Sequence, residues 1–312
     1  ESFDAKIRNL NPDVVLFDRY VTEEQFGWRV SENCPNALKI IDTEDLHFLR
    51  EARRKAFFEK RIVRKEDLIN DIFVREIAAI LRCDLSLIIS EFEYDLLVNE
   101  FKINPDLLFY IPFLTEKIEE SKTPFEDRKH FVSIGNFLHE PNWQTVLKLK
   151  QIWKLIKKRI PETELHIYGA YTSQKVLELH NEKDGFLVKG RANSVEKIFN
   201  QAKVLLAPIP FGAGLKGKLW ESMQFGLPNV TSTIGAEAMH KDLPWNGFIE
   251  DSDEVLVEKA IELYQDENLW NKAQENGYQI LEALFMKDLF ANSFIDKVSE
   301  LMENLDNQRT EN

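Results

Sequence analysis

Short runs rich in aliphatic and β-branched residues recur along the whole chain, and most are followed by a longer stretch with helical spacing. A strand that feeds a helix returns to its sheet by a crossover, so this alternation demands parallel sheets covered by helices. The fold class it dictates is α/β. In the first part, strands are expected at 14–18, 38–42, 85–90 and 108–112, with helices over 22–32, 44–81 and 91–101. The stretch 116–129 is polar, carries Pro124 and lacks apolar periodicity, and it reads as a linker. A second series follows, with strands expected at 130–135, 164–168, 185–189, 203–208, 228–232 and 248–250. Its helix at 142–158 sets Trp143, Val146, Leu149, Ile152, Trp153 and Ile156 near a 3.6-residue repeat and ends before Pro161. From Ser252 onward only helices are expected, at 253–265, 268–284 and 287–305, before a polar tail at 306–312 that frays.

A chain of 312 residues exceeds one ordinary core, so two domains are expected. They are a partial N-terminal one at 1–115, the linker, and a C-terminal one at 130–285; the segment 286–312 packs back on the first. Apolar residues make up 44% and charged residues 30%, enough for a large core and too many apolar residues for disorder. A formal charge of -13 offers no broad positive field, which disfavours sequence-independent nucleic-acid binding and makes any phosphate site a local one. Cys34 and Cys83 form neither a metal-ligand spacing nor a disulfide framework, which fits a reduced, cytoplasmic compartment. No apolar run approaches the roughly 18 residues that span a bilayer, and the start at Glu1 lies within a helical pattern and carries no export signal.

The densest local signal is the run from Pro208 to Pro228. It follows a strand, opens a loop containing Gly212, Gly214 and Gly217, and leads into a helix expected over 216–225. Glycines there let the backbone approach a ligand, and the amides and dipole of a helix N-terminus favour an anion. Lys216 and Lys218 add two positive charges to that terminus, and Glu221, one turn on, suits ribose hydroxyls. Together these residues read as a seat for a nucleoside diphosphate. The plain alternative is a strand-to-helix turn with solvated lysines, against which stand the lysine pair, Glu221 and the Gly226-Leu227-Pro228 stop.

The run Phe211-Gly-Ala-Gly-Leu-Lys-Gly-Lys-Leu-Trp-Glu-Ser-Met, with Ile234-Gly-Ala-Glu237 after it, resembles the donor-site signature of the "group 1" glycosyltransferases of GT-B fold. The ordered series Ser133-Ile-Gly-Asn-Phe137, His166-Ile-Tyr-Gly169 and Val188-Lys-Gly-Arg191 is similar to theirs as well, and 41–50 resembles the cleft side of their N-terminal domain. The resemblance implies two Rossmann-like domains facing each other across a cleft, the N-terminal one truncated by about a third of a full enzyme. It implies metal-independent transfer of a sugar from a nucleotide-diphosphate sugar, as substrate and not cofactor, to a glycan, lipid-linked or other acceptor. Surface-glycan work at the inner face of a membrane, with peripheral association, is implied too.

Carried over residue by residue, the resemblance sets Gly135 and Asn136 against the phosphates and Tyr168 with Gly169 along the nucleotide pocket. The loop 189–192, with Arg191, approaches the base; Lys216 and Lys218, with Gly212 and Gly214, hold the diphosphate, and Glu221, with Ser222 beside it, takes the ribose. Two departures stand out. Many relatives carry a Glu eight residues before the Glu221 position, where this chain has Ala213, and many carry Arg after the first-strand glycine, where it has Asn136. A non-catalytic nucleotide-binding or scaffold protein, and a sugar-nucleotide epimerase, are the alternative functions.

Outside this run, His47 follows a strand together with Asp42, Asp45 and Arg50 and is a candidate general base; helix capping by Asp42 or Thr43 is the plain alternative. His139 follows the Gly135 loop and is either a phosphate donor or a surface histidine. Asp251-Ser252-Asp253 mimics a metal-binding carboxylate pair, but its place before a helix favours Ser252 or Asp253 as N-cap. No metal site is expected.

Overall fold

In the computed structural model, which describes residues Ser2–Thr310, the chain divides into two units. The first comprises Glu1–Phe113, the short segment Ala213–Leu215 and the chain from Lys287 on; the second comprises Leu114–Gly212 and Lys216–Met286.

In the first unit, α1 (Phe3–Leu10) precedes four parallel strands: β1 (Val14–Asp18), β2 (Leu38–Asp42), β3 (Leu85–Ile88) and β4 (Leu108–Tyr110). They lie in sequence order, with Val14 beside Leu38, Ile40 beside Leu85 and Ser86 beside Leu108. Strand residues of alternate parity divide between the two faces. Phe17 and Ile41 pack with Tyr20 and Val30 of α2 (Arg19–Asn33), while Leu38, Ile40 and Leu85 meet a helix from the C-terminal segment.

The single helix expected over 44–81 is three: α3 (His47–Phe58), α4 (Lys65–Leu68) and α5 (Asp71–Arg82). Lys60, at φ 52, breaks the run, and Arg61 pairs with Asp67 across the gap at 2.5 Å. Asp67 also accepts from the Arg64 amide, and Asn70 caps α5 by accepting from Phe73. Next, α6 (Glu91–Asp95) continues into a π-helical turn, Leu96–Glu100.

The second unit contains six parallel strands: β5 (Lys129–Ile134), β6 (Leu165–Tyr168), β7 (Phe186–Gly190), β8 (Ala202–Ala207), β9 (Asn229–Thr231) and β10 (Gly247–Ile249). Their spatial order is β10-β9-β8-β5-β6-β7. The chain therefore starts in the middle, steps outward twice, and returns to the other side of β5. This is the doubly wound order of dinucleotide-binding sheets, whose reversal point leaves a crevice at the carboxyl ends of the strands.

Around the sheet lie α7 (Glu140–Arg159), α8 (Gln174–Leu177), α9 (Val195–Gln201), α10 (Gly217–Gln224), α11 (Thr233–Ala236), α12 (Asp253–Gln265) and α13 (Glu267–Leu284). The expected stripe of α7 is its buried side: Val146, Leu149, Ile152, Trp153 and Ile156 share one core with Phe131, Leu165, Ile167, Val204 and Val230 of the sheet, and with Leu256 and Ala260 of α12. Burial on this scale, at roughly 2 kcal/mol per large side chain, is what holds the unit together.

The helix expected over 287–305 begins as a short 3-10 turn, Lys287–Leu289, and runs as α14 (Ala291–Thr310). Phe294, Val298, Leu301, Met302 and Leu305 cover Leu38, Ile40 and Leu85 within the first unit. The fraying tail expected at 306–312 is helical to Thr310, and its last two positions lie outside the described residues.

The stretch 116–129 is not a loose linker throughout. Arg128, 1% exposed, donates to the carbonyls of Thr123, Phe199, Ala202 and Phe225 and to Ser121 Oγ, and its guanidinium lies 5.0 Å from the Trp270 ring centre. Burial pushes that guanidinium down to about 10.

Candidate functional site

The second unit places a cavity of about 350 Å³ at the reversal point of its sheet. Ile134, Gly135 and Asn136 leave the end of β5, Gly169 and Ala170 the end of β6, and Arg191 and Ala192 the end of β7. Asn142 reaches in from the first turn of α7, and Lys218 and Glu221 from one side of α10. Six residues singled out from the sequence are thus brought to one cavity: Gly135, Asn136, Gly169, Arg191, Lys218 and Glu221.

The two wall glycines are demanded by close approach. A Cβ on Gly169 would stand 2.2 Å from the Phe137 ring and 2.4 Å from the Gly135 carbonyl oxygen, and one on Gly135 would stand 2.7 Å from Asn142 Cγ. Their amides, however, extend the sheet. Gly135 N–H donates to Tyr168 O at 3.1 Å, and Gly169 N–H to Gly190 O at 2.8 Å. These glycines therefore give access and not amide donors, which leaves the charge complement to the side chains.

Lys218 Nζ donates to Asn142 Oδ1 at 2.7 Å. Burial pushes the ammonium down to about 8, the nearby charge of Lys216 pushes the same way, and Glu221 opposes both. Glu221 is itself half-buried and held above the usual carboxylate range by desolvation, against the pull of Lys218. A cation of low affinity for its own proton beside a carboxylate is an arrangement that an incoming anion completes.

Lys216 is the N-cap residue of α10, its carbonyl accepting from Leu219 at 2.8 Å and Trp220 at 3.2 Å. A Cβ built on Gly212 would lie 3.5 Å from Lys216 Cε, ordinary contact, so space alone does not require glycine at 212. Tyr168 contributes its carbonyl to the Gly135 turn, its ring standing beside His166 with centroids 6.4 Å apart. His139 sits exposed as the N-cap residue of α7 and is not among the residues lining the cavity.

Two expected ligand residues are placed otherwise. Ser222 is fully buried with Leu219 and Met223; its hydroxyl donates to Leu219 O at 2.7 Å and accepts from Asn229 Nδ2 at 3.2 Å, so it faces the core. Gly214, at φ 61, donates its amide to Glu93 Oε1 at 2.6 Å within the first unit, and that amide is aimed at a carboxylate and not at a bound phosphate. Ala213 packs in the same unit's apolar cluster with Leu46 and Phe48.

His47 also belongs to the first unit and opens α3, with Leu46 in the cap position instead of Asp42 or Thr43. The cap comes from afar. Glu76 of α5, 1% exposed, accepts from the amides of His47 at 3.2 Å and Phe48 at 3.1 Å. The same carboxylate stands 3.2 Å from His47 Nδ1, with Asp45 O at 3.1 Å. Two acceptors at Nδ1 select the tautomer protonated there, which leaves Nε2 as the basic nitrogen. Asp45 is held by Arg50 at 2.5 Å, and Arg53 is buried, its guanidinium 5.1 Å from the Phe92 ring centre.

Near the last strand, Asp251 accepts from Thr233 N at 2.9 Å and Thr233 Oγ1 at 2.6 Å, and Asp253 pairs with Lys148 at 2.9 Å. Ser252 occupies the N-cap position of α12, its hydroxyl donating to the Glu254 carboxylate at 2.9 Å and not accepting from a helix amide. Among the described residues no three His, Cys, Asp or Glu side chains converge as metal ligands. Among them, too, no helix is long and apolar enough to cross a membrane.

Sequence reasoning missed Asn142, which it read as the start of a helix, and the small wall residue Ala170. No local pattern marks Asn142, whose role depends on how the Gly135 turn folds against α7.

Comparison with known proteins agrees with this geometry. Residues 128–266 match the family model described as glycosyl transferases group 1. No match is found among curated proteins. Among solved structures, a mutant of S. aureus TarM in complex with Fondaparinux, alpha-GlcNAc-glycerol and UDP superposes with a TM-score of 0.73 at 15% identity, covering 96% of this chain and 58% of that one. The pneumococcal O-GlcNAc transferase GtfA, in complex with UDP and GlcNAc, gives 0.68 at 19% identity, covering 97% and 59%. Sucrose-phosphate synthase from Thermosynechococcus elongatus gives 0.72 at 15% identity, covering 97% and 77%. The chain thus spans about three fifths of the length of the first two. Residues 128–266 are thus similar to the glycosyl transferases group 1 family, and the chain's two parallel sheets with their helices have the GT-B fold.

Proposed function

We propose that this chain carries the donor site of a glycosyltransferase, which moves a sugar from a nucleotide-diphosphate sugar to a hydroxyl of a glycan, lipid-linked or other acceptor. The observation that carries the reading is the convergence of Lys218, Arg191 and Glu221 on one cavity at the reversal point of a doubly wound sheet. The match of residues 128–266 to the group 1 family model supports it, as does the UDP in two proteins of the same fold.

In the proposed reaction the bond between the anomeric carbon and the diphosphate oxygen breaks, and the acceptor oxygen bonds to that carbon. Negative charge grows on the leaving diphosphate. Lys216, Lys218 and the N-terminus of α10 stabilise that charge, each more strongly than in water because the site is partly desolvated. Glu221 accepts from the ribose hydroxyls, and Arg191 borders the base. His47, with Nε2 basic, is the candidate for receiving the acceptor's proton.

Calorimetric titration of UDP, GDP and ADP into wild type and into the Lys216→Ala/Lys218→Ala double variant tests the assignment. The variant is expected to bind at least about thirtyfold more weakly, two charge-assisted contacts being lost. Equal affinity would remove the site. A second reading, nucleotide binding without transfer, is favoured by Ala213, whose methyl is buried in an apolar cluster where many relatives present a carboxylate. Release of UDP from a UDP-sugar, with a glycosylated acceptor as product, separates the two.

A further inference from the structure

We propose that Asn142 is a positioning residue, which fixes the Lys218 ammonium in the cavity through Oδ1 while its own amide group is anchored to the backbone. The inference rests on the donor-site reading and deepens it. Asn142 Oδ1 accepts from Lys218 Nζ at 2.7 Å, and Asn142 Nδ2 donates to Asn136 O at 2.9 Å. Both ends of the side chain are thereby assigned, since the atom facing a carbonyl must be the donor and the atom facing an ammonium the acceptor.

The chain makes room for this clamp. Gly135 lies so close that any Cβ there would meet Asn142 Cγ at 2.7 Å and Oδ1 at 2.9 Å. Gly135, Asn142 and Lys218 are thus one device drawn from β5, α7 and α10. A lysine has four rotatable bonds and loses much entropy when a ligand fixes it. Held beforehand by Asn142, Lys218 meets an anion with that cost already met by the fold.

The residue type follows from the charge. Leucine would offer no acceptor, and aspartate would neutralise the ammonium and repel a phosphate. A neutral amide orients the cation without satisfying its charge. The charged groups acting on that ammonium are Lys216 at the head of α10 and Glu221 one turn along it, and Arg191 lines the same cavity.

The test titrates UDP into wild type, Asn142→Ala, Asn142→Asp, Lys218→Ala and the Asn142→Ala/Lys218→Ala pair, between about pH 6 and about pH 10. Wild-type affinity should fall as pH passes about 8, where the ammonium loses its proton. Asn142→Ala should bind about tenfold more weakly near neutral pH, and the pair should bind no more weakly than Lys218→Ala alone. Asn142→Asp should move the fall to higher pH, because the added carboxylate holds the proton on Lys218. Wild-type affinity in Asn142→Ala, or strict additivity in the pair, overturns the assignment. If Asn142→Ala does not fold, the near-isosteric Asn142→Asp decides, and an unshifted pH profile overturns it. Should Lys218→Ala itself bind UDP as wild type does, the donor-site reading fails; should only the Asn142 variants behave as wild type, the site stands and the clamp alone falls.

Discussion

Lys218 concentrates the chemistry of this site in one proton. Its ammonium is pushed down to about 8 from an ordinary 10.5, so between those values the unfolded chain binds more protons than the folded one. Stability attributable to this residue therefore rises with pH across that window, and the full cost of the buried cation is present below about 8. A bound diphosphate reverses the balance by holding the proton in place. Nucleotide binding near pH 8 is expected to take up a fraction of a proton, seen as a binding enthalpy that varies with the ionisation enthalpy of the buffer; no such variation would show that Lys218 does not meet the ligand. Lys218 and Glu221 were legible from their spacing on a helix that follows a glycine loop. Asn142 was not, because its role depends on how the Gly135 turn folds against α7, which no local pattern announces. Ser222 was misread for a related reason: it adjoins Glu221 in sequence, but it lies on the side of α10 buried with Leu219 and Met223.

Among the elements, the strands were the most legible part, since each is a short apolar run between turn residues, and the ten runs expected are the ten strands observed to within a residue or two at most ends. The helices of the first unit were less so. An apolar rhythm continues across 44–81, and the breaks within it depend on Lys60 in left-handed conformation and on the Arg61–Asp67 pair. The cap of α3 by Glu76, 29 residues away from His47, is equally invisible to a reading of neighbours. The polar stretch before β5 shows a third limit, because composition describes Arg128 as a surface residue. It is instead a buried guanidinium that satisfies four carbonyls. Arg128→Ala would strand those carbonyls and is expected to destabilise the protein by about 3 kcal/mol or more, read as a fall in the denaturant midpoint. A change under about 0.5 kcal/mol would mean that water replaces the guanidinium without loss.

At the scale of the molecule, the decisive feature is the return of the chain from β7 to β8 across β5. That reversal opens the crevice, and the carboxyl ends of β5, β6 and β7, with the helix after β8, deliver the cavity's residues to it. The alternation of strands and helices made a parallel sheet legible, while strand order was not, since periodicity carries no information on which side of β5 a later strand pairs. Resemblance to the group 1 glycosyltransferases supplied what spacing could not. The most direct measurement of the central claim is a crystal structure of this chain with UDP at saturating concentration. The account predicts the diphosphate within hydrogen-bonding distance of Lys218 Nζ at the head of α10, with the ribose at Glu221. A nucleotide bound elsewhere, with this cavity filled only by solvent, would contradict it.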